Sequence, residues 1–266
     1  MTLIPDLQLQ ELARFAALLA DAAGQAILPH FRLPVPVDNK ANGGFDPVTI
    51  ADRNGETAMR ALIEQHYPDH GIIGEEHGVK PSRSGFNWVL DPVDGTRSFI
   101  IGIPLWTTLI GLTFEGKPVL GLMNQPFIGE RFTGSKLGSF WERAGERRRL
   151  QVNPALSLKE AKLTTVAPEI YKTERQKEVF KRMTGAVRMT RYGGDAYFFC
   201  LLAAGLVDVA MDAGLETYDI AALVPIMENA GGVVTTFSGA PATGGGDILA
   251  AASPALHAEA LALIGA

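Results

Sequence analysis

The sequence predicts a mixed α and β protein in two halves, an antiparallel meander followed by an α/β layer. Between Leu105 and Phe140, β-prone runs alternate with Gly-containing turns, and from Lys162 onward short strands alternate with helices. Size is the third observation. A chain of 266 residues, 47% of them hydrophobic, can bury roughly three quarters of its unfolded surface, so it needs no staple. Charged residues make up 20%, which excludes disorder as the main state.

Residues 7 to 28 place Leu9, Leu12, Phe15, Leu19 and Ala23 at helical spacing beside Ala16 and Ala20, and Pro29 and Pro34 end the run. Residues 35 to 47, rich in Pro, Gly and Asn, read as a loop. A second helix is expected from Asp52 to His66, with Ala58, Met59, Leu62 and Ile63 inward and Pro68 as its stop. Ile72-Ile73 and Trp88-Val89-Leu90 read as short buried strands. Thr107 to Phe114, the turn Glu115-Gly116-Lys117-Pro118 and Val119 to Met123 open the meander, which Gly129, Gly134 and Gly138 punctuate. Glu142, Arg143, Glu146 and Arg147 to Arg149 read as a solvated hairpin tip. A boundary near residue 150 then divides an amino-terminal half, 1-150, from a carboxy-terminal half, 151-266. In the second half, strands are expected at Lys162 to Val166, Val187 to Thr190, Val207 to Met211 and Val233 to Thr236. The helices between and after them begin at the capping box Thr173-Glu174-Arg175-Gln176, running to Met183, and continue with Asp195 to Ala204, Ile220 to Ala230 and Ala255 to Ile264.

Composition excludes several functions. A formal net charge of −5 and a pI near 5.6 argue against nucleic-acid binding through a basic surface. The single cysteine, Cys200, permits no internal disulfide and no Cys-based zinc module, and reads as packing in a reducing compartment. The amino terminus lacks the basic-then-apolar order of a secretory signal. The apolar run Phe198 to Val207 is about half a membrane span. No membrane association and a cytoplasmic location are expected. No G-x-x-x-x-G-K-[ST] loop is present.

The chemistry concentrates where strands end. Trp88-Val89-Leu90 runs into Asp91-Pro92-Val93-Asp94-Gly95-Thr96. On a continuing strand Asp91 and Asp94 would face opposite sides. Pro92 and Gly95 break the strand, so a tight turn can bring the carboxylates together. Neighbouring carboxylates repel and raise each other's pKa, and a hard divalent ion such as Mg²⁺ resolves that repulsion. Taken alone, Asp-Pro and Asp-Gly are also common turn dipeptides. Three further acidic junctions accompany them: Gly74-Glu75-Glu76 after Ile72-Ile73, Tyr218-Asp219 before residues 220 to 230, and Asp52 closing Pro47-Val48-Thr49-Ile50-Ala51. Asp52 and Asp219 are each readable as helix N-caps. Together Asp52, Glu75, Asp91, Asp94 and Asp219 carry about five negative charges, which two or three Mg²⁺ would offset while keeping affinity for phosphate. Such metals activate a water and stabilise charge on a phosphoryl oxygen.

Glu75, the run Asp91 to Thr96, and Tyr218-Asp219 resemble the three ordered signatures of the inositol-monophosphatase-like phosphatases, over about residues 37 to 236. The resemblance implies a layered α-β-α-β-α sandwich of the inositol monophosphatase and fructose-1,6-bisphosphatase type, with the site between its halves. It implies that Glu75, Asp91 and the Val93 carbonyl hold a first Mg²⁺ and that Asp91, Asp94 and Asp219 hold a second. Glu75 would also contact a third ion and the nucleophilic water. Thr96, hydrogen-bonded to Asp52, would orient and deprotonate that water. The amides of Gly95 and Thr96 would bind phosphate oxygens, and Lys40 matches a loop lysine of the family. Relatives attack phosphorus directly with water, need Mg²⁺, are in many cases inhibited by Li⁺ and are usually dimers. A homodimer acting on a small phosphorylated metabolite is therefore expected.

Within the family, Thr96 to Ile100 with Gly102 to Trp106, Gly121 to Arg131, Arg191 to Asp195, and Ala213 to Asp219 look like the histidinol-phosphatase branch. That branch implies hydrolysis of L-histidinol phosphate in histidine biosynthesis. Tyr218 stands where inositol phosphatases have Trp, and Asn124 departs from the branch's usual Asp. A substrate carrying an ammonium and an imidazole calls for a carboxylate opposite it. Gly193, Gly194, Asp195 and Asp212 match substrate-facing positions of the family. Asp195 is also readable as a helix N-cap, Asp212 can also accept sugar hydroxyls, and Glu216 reads as rim charge. Inositol phosphate, a sugar phosphate or a 3′-phosphonucleotide are alternative substrates. A haloacid-dehalogenase-type phosphatase needs D-x-D with a covalent nucleophile, whereas the spacing here is D-x-x-D. A non-catalytic, metal-dependent binding or regulatory homologue would be expected to lose Asp52 or Thr96, and both are present. His30, His66, His70 and His257 read as helix-end or exposed residues and His77 as a surface histidine.

Overall fold

The structure, a computed structural model, describes residues 4–34, 36–39 and 47–265. Helix α1 (Asp6–Ile27) buries Leu9, Leu12, Phe15, Ala16, Leu19, Ala20 and Ala23, the stripe read from the spacing, and Pro29 stands in the 3-10 turn that follows. With that turn it is long and apolar enough to cross a bilayer by length and composition, but its apolar stripe belongs to the core. The segment expected as loop contains β1 (Val37–Asn39), paired antiparallel with β2 (Pro47–Thr49). Strand β2 leads directly into α2 (Ile50–His66).

The first large sheet joins β3 (Gly71–Gly74), β4 (Gly78–Lys80), β5 (Phe86–Asp94), β6 (Thr107–Phe114), β7 (Lys117–Gln125), β8 (Glu130–Ser135), β9 (Gly138–Arg143) and β10 (Glu146–Arg149). Their order is β10-β9-β8-β7-β6-β5-β3-β4, so the meander extends from β5 to β10. A short helix, α3 (Thr96–Ile100), follows β5. The second sheet joins β11 (Lys162–Thr165), β12 (Met189–Tyr192), β13 (Val209–Leu215), β14 (Val233–Thr236) and β15 (Gly246–Ala251) in the order β12-β11-β13-β15-β14. Its helices are α4 (Glu174–Ala186), α5 (Asp195–Ala203), α6 (Thr217–Ile220), α7 (Leu223–Glu228) and α8 (Pro254–Ile264).

Three cores stack these elements into five layers. The first seals α1 and α2 against one face of the large sheet, through Phe15, Met59, Trp88 and Ile110. The second joins the opposite face, through Leu109, Met123 and Phe132, to α5, α7 and the second sheet. The third packs α4 and α8 on the far face of that sheet, through Val179, Met211, Leu249 and Leu256. This is the α-β-α-β-α sandwich that the resemblance implied.

Close approach at the middle layer depends on glycine. Gly111, Gly121 and Gly134 lie in register across β6, β7 and β8. A Cβ on Gly121 would sit 1.8 Å from the Ala222 carbonyl oxygen, and one on Gly134 would sit 2.3 Å from the Ile226 Cα. The chain just after Asp219 therefore lies almost on the sheet backbone.

Several sequence expectations are corrected. Residues 220 to 230 do not form one helix: α6 and α7 are separate, because Pro225 lacks an N–H and its ring clashes with the carbonyl four residues back. Strand β5 is not broken at Pro92 but continues to Asp94. The Arg-rich stretch is the exposed hairpin expected there, with β9 turning at Ala144-Gly145 into the edge strand β10, Arg147 over Phe140 and Arg148 over Trp141. Strands β4 and β15 were not foreseen. The run in β15, Gly-Asp-Ile-Leu-Ala-Ala, is poor in the β-branched and aromatic residues that mark strands. His70 and His257 are buried. His70 Nδ1 accepts from Trp88 Nε1 at 3.1 Å, His257 Nε2 lies 2.8 Å from Thr235 Oγ1, and burial lowers the pKa of both.

Candidate active site

Asp91 and Asp94 meet through a bulge. From Asp91 to Asp94 is three steps along β5, but their partners on β6, Leu109 and Thr107, are two apart. The extra residue converts an odd spacing, which would put the carboxylates on opposite faces, into one that lets them converge. The bulge is held by Asp91 Oδ1, which accepts from Val93 N at 3.0 Å, and by Thr108 Oγ1, which donates to Pro92 O at 2.8 Å. Asp94 Oδ2 accepts from Ala196 N at 2.8 Å, across the junction with α5. Asp219 is not an N-cap. It is the third residue of α6, and its Oδ2 accepts from Glu216 N at 2.7 Å in a capping box. Ligand oxygens of Asp91, Asp94 and Asp219 all lie within 4.8 Å of one another.

This crowding is visible in the acidities. Burial, then repulsion from Glu75, Asp94 and Asp219, holds Asp91 well above the usual carboxylate range. Burial, then Asp195 and Asp219, does the same to Asp94. Asp219 is pushed up to about 7, chiefly by burial. Buried carboxylates that oppose each other's ionisation, with oxygen-only donors, fit a hard cation. Glu75, hydrogen-bonded to Asp91, leaves the end of β3 toward the same point. The Val93 carbonyl accepts the Thr96 hydroxyl at 3.1 Å.

Asp52 lies beside this cluster and is also not an N-cap. Thr49 caps α2, and Asp52 Oδ2 accepts from both Thr49 N (2.8 Å) and Thr49 Oγ1 (2.6 Å). That leaves Oδ1 to face Thr96 Oγ1 at 3.4 Å. Burial raises the Asp52 pKa. Gly95, with φ of 80°, turns the chain so that Thr96 opens α3.

Gly193, Gly194 and Asp195 all have positive φ (87°, 90° and 42°), an unusual conformation for Asp195. Gly194, not Asp195, is the N-cap of α5. The Asp195 carboxylate instead lies over Gly95, where a Cβ would sit 2.7 Å from its Oδ2, and accepts from Ser98 Oγ at 3.3 Å. Burial raises its pKa. Asp94, Asp195, Asp212 and Asp219 line one cavity of about 110 Å³. Asp212 is less available than Asp195: it is 2% exposed, and Oδ1 accepts from Thr165 Oγ1 and Val166 N, both at 2.8 Å. Lys40 lies outside the described residues. His77 is exposed and contacts Thr57 and the Arg53 carbonyl. Asn124, paired on β7 with Thr108, accepts from Arg131, which also pairs with Asp21 at 2.6 Å. Cys200 is buried packing. Sequence reasoning missed Ser98 and Glu56. For Glu56 there was a signal, its place one turn beyond Asp52 on a helix.

A five-layer sandwich with a carboxylate cluster between its sheets defines a metal-dependent phosphatase architecture. The inositol monophosphatase family model matches residues 8–265, and the chain belongs to that family of phosphatases. It is 43% identical over 234 residues to the bifunctional phosphatase IMPL2, chloroplastic, of Arabidopsis thaliana, covering 86% of this chain and 66% of that one. It is 34% identical over 263 residues to the histidinol-phosphatase of Chlorobaculum parvum, covering 98% and 97%. An inositol monophosphatase structure from Zymomonas mobilis superposes with a TM-score of 0.85 at 39% identity, covering 97% of this chain and 98% of that one.

Proposed function

We propose that this protein is an Mg²⁺-dependent phosphomonoesterase that hydrolyses L-histidinol phosphate to L-histidinol and phosphate. The observation that carries the substrate assignment is Asp195. It is a buried carboxylate held at positive φ against Gly95, one carboxylate more than the metal ligands require, and it suits a substrate with a cationic group. Similarity to a histidinol-phosphatase over nearly the whole chain supports the same reading. The likeness to an inositol monophosphatase structure favours inositol phosphate as the second reading.

Asp91, Asp94, Asp219, Glu75 and the Val93 carbonyl would hold the metal. The chemistry a bound Mg²⁺ supplies is stabilisation of phosphoryl charge and acidification of water. With the Val93 carbonyl engaged by metal, the Thr96 hydroxyl proton would turn from that carbonyl, 3.1 Å away, to Asp52 Oδ1 at 3.4 Å, and Thr96 Oγ1 would present a lone pair to the attacking water. The water's proton passes to Thr96 Oγ1 as the threonine proton moves to Asp52, whose raised pKa makes it the better acceptor. The amides of Gly95, the N-cap of α3, and of Thr96, its first residue, would bind the phosphate oxygens. The proposal extends to a cytoplasmic homodimer, which sedimentation and cell fractionation test.

The experiment is phosphate release from L-histidinol phosphate and from myo-inositol 1-phosphate, side by side with Mg²⁺. A preference for histidinol phosphate of about a hundredfold in kcat/KM, roughly 2.7 kcal/mol, is expected, and Asp195→Asn should reduce that ratio at least tenfold. Equal rates, or a preference for inositol phosphate, would overturn the substrate assignment.

A further inference from the structure

Glu56 is a carboxylate with 0% exposure on α2, and nothing in the reaction above uses it. Its oxygens accept from two consecutive backbone amides, Glu76 N at 2.7 Å and His77 N at 3.1 Å, and from Arg60 Nε at 2.6 Å. These amides belong to the turn between β3 and β4, immediately after Glu75. Arg60, one helical turn beyond Glu56, also donates to the Gly78 carbonyl at the far end of the same turn. Gly74 lets the carboxylate pass: a Cβ there would lie 1.9 Å from Glu56 Oε1. Asp52, Glu56 and Arg60 thus form one stripe at four-residue spacing along a rigid helix.

From this geometry we propose that Glu56 is a positioning residue, which with Arg60 clasps the β3–β4 turn and holds the Glu75 carboxylate ready for metal. The proposal rests on the reading of Glu75 as a ligand. Its physical reason is repulsion. Glu75 stands beside Asp91, near Asp94 and Asp219, where neighbouring carboxylates oppose one another's charged forms. Burying a carboxylate is unfavourable unless it is fully bonded. Glu56 meets that condition by bonding the turn that carries Glu75. The stripe also couples two functions, because the same helix fixes Asp52 against Thr96. Removing partners that orient a metal ligand lowers metal affinity by 10–100-fold in general.

The test measures Mg²⁺ binding to metal-free protein by calorimetry, independently of turnover, for wild type, Glu56→Gln and Arg60→Met. Leu256→Ala, in the distant third core, serves as a control for lost stability alone. Glu56→Gln should bind Mg²⁺ at least tenfold more weakly, Arg60→Met should also bind more weakly, and Leu256→Ala should bind as wild type does. Hydrogen exchange on the wild type needs no variant to fold: the Glu76 and His77 amides should be protected without metal. Unchanged Mg²⁺ affinity in the folded Glu56→Gln protein, or unprotected amides in wild type, would overturn the clasp. Failure of the wild type itself to bind Mg²⁺ would overturn the metal reading and the clasp with it.

Discussion

Metal binding should be strongly linked to protons in the range where carboxylates are normally fully ionised. Asp219 is pushed up to about 7, and coordination requires the ionised form. Binding then weakens as pH falls below 7, approaching about tenfold, or 1.36 kcal/mol, per unit once pH is well below that value. At pH 7 this carboxylate is half ionised, so between pH 7 and pH 5 it alone gives about 2.3 kcal/mol, roughly fiftyfold in apparent affinity. Asp91 and Asp94, held well above the usual range, act in the same direction. The sign for stability follows from proton counts. Above about pH 4 the unfolded chain has released protons that these folded carboxylates still hold, so the metal-free protein loses stability as pH rises from about 4 through 7. His70 and His257 oppose this. Burial lowers their folded pKa, so their contribution increases with pH up to the unfolded value of about 6.5. Comparing metal-free with Mg²⁺-saturated protein at each pH isolates the carboxylates. Calorimetry in buffers of different ionisation enthalpy should show at least half a proton released per site at pH 7 and more at pH 6. Scanning fluorimetry should show the Mg²⁺-induced rise in Tm growing from pH 5 to pH 7. A Kd independent of pH, with no proton release, would refute the reasoning.

Other perturbations separate binding, chemistry and packing. Asp91→Asn should abolish Mg²⁺ binding and phosphate release together, measured by calorimetry and a phosphate assay. Thr96→Ala should keep Mg²⁺ affinity within a fewfold but lose about 10²–10³ in kcat; full activity would exclude its role in proton transfer. Gly121→Ala, which places a Cβ against the Ala222 carbonyl, should destabilise by roughly 3 kcal/mol or more in denaturant titration, and it should weaken Mg²⁺ binding by displacing the segment that carries Asp219.

The sequence by itself determined the carboxylate set, because Asp91, Asp94 and Asp219 sit at punctuated strand and helix junctions that local pattern exposes. It also determined the long helices, whose apolar stripes repeat at helical period, and the meander, whose turns carry glycine. It left Asp52, Asp219 and Asp195 readable as caps, since an N-cap and a ligand share the same residue types. Tertiary structure decided among these. Thr49, Glu216 and Gly194 occupy the cap positions, so that Asp52 faces Thr96, Asp219 joins Asp91 and Asp94, and Asp195 lies over Gly95. The bulge that aligns Asp91 with Asp94 depends on the register of a neighbouring strand, and the glycine path under α7 depends on three strands lying side by side. Such pairings join residues distant in the chain, so periodicity does not report them. The same holds for Glu56, an acid on a helix whose partners lie 20 residues away, and for His70 and His257, whose burial is set by what packs on them.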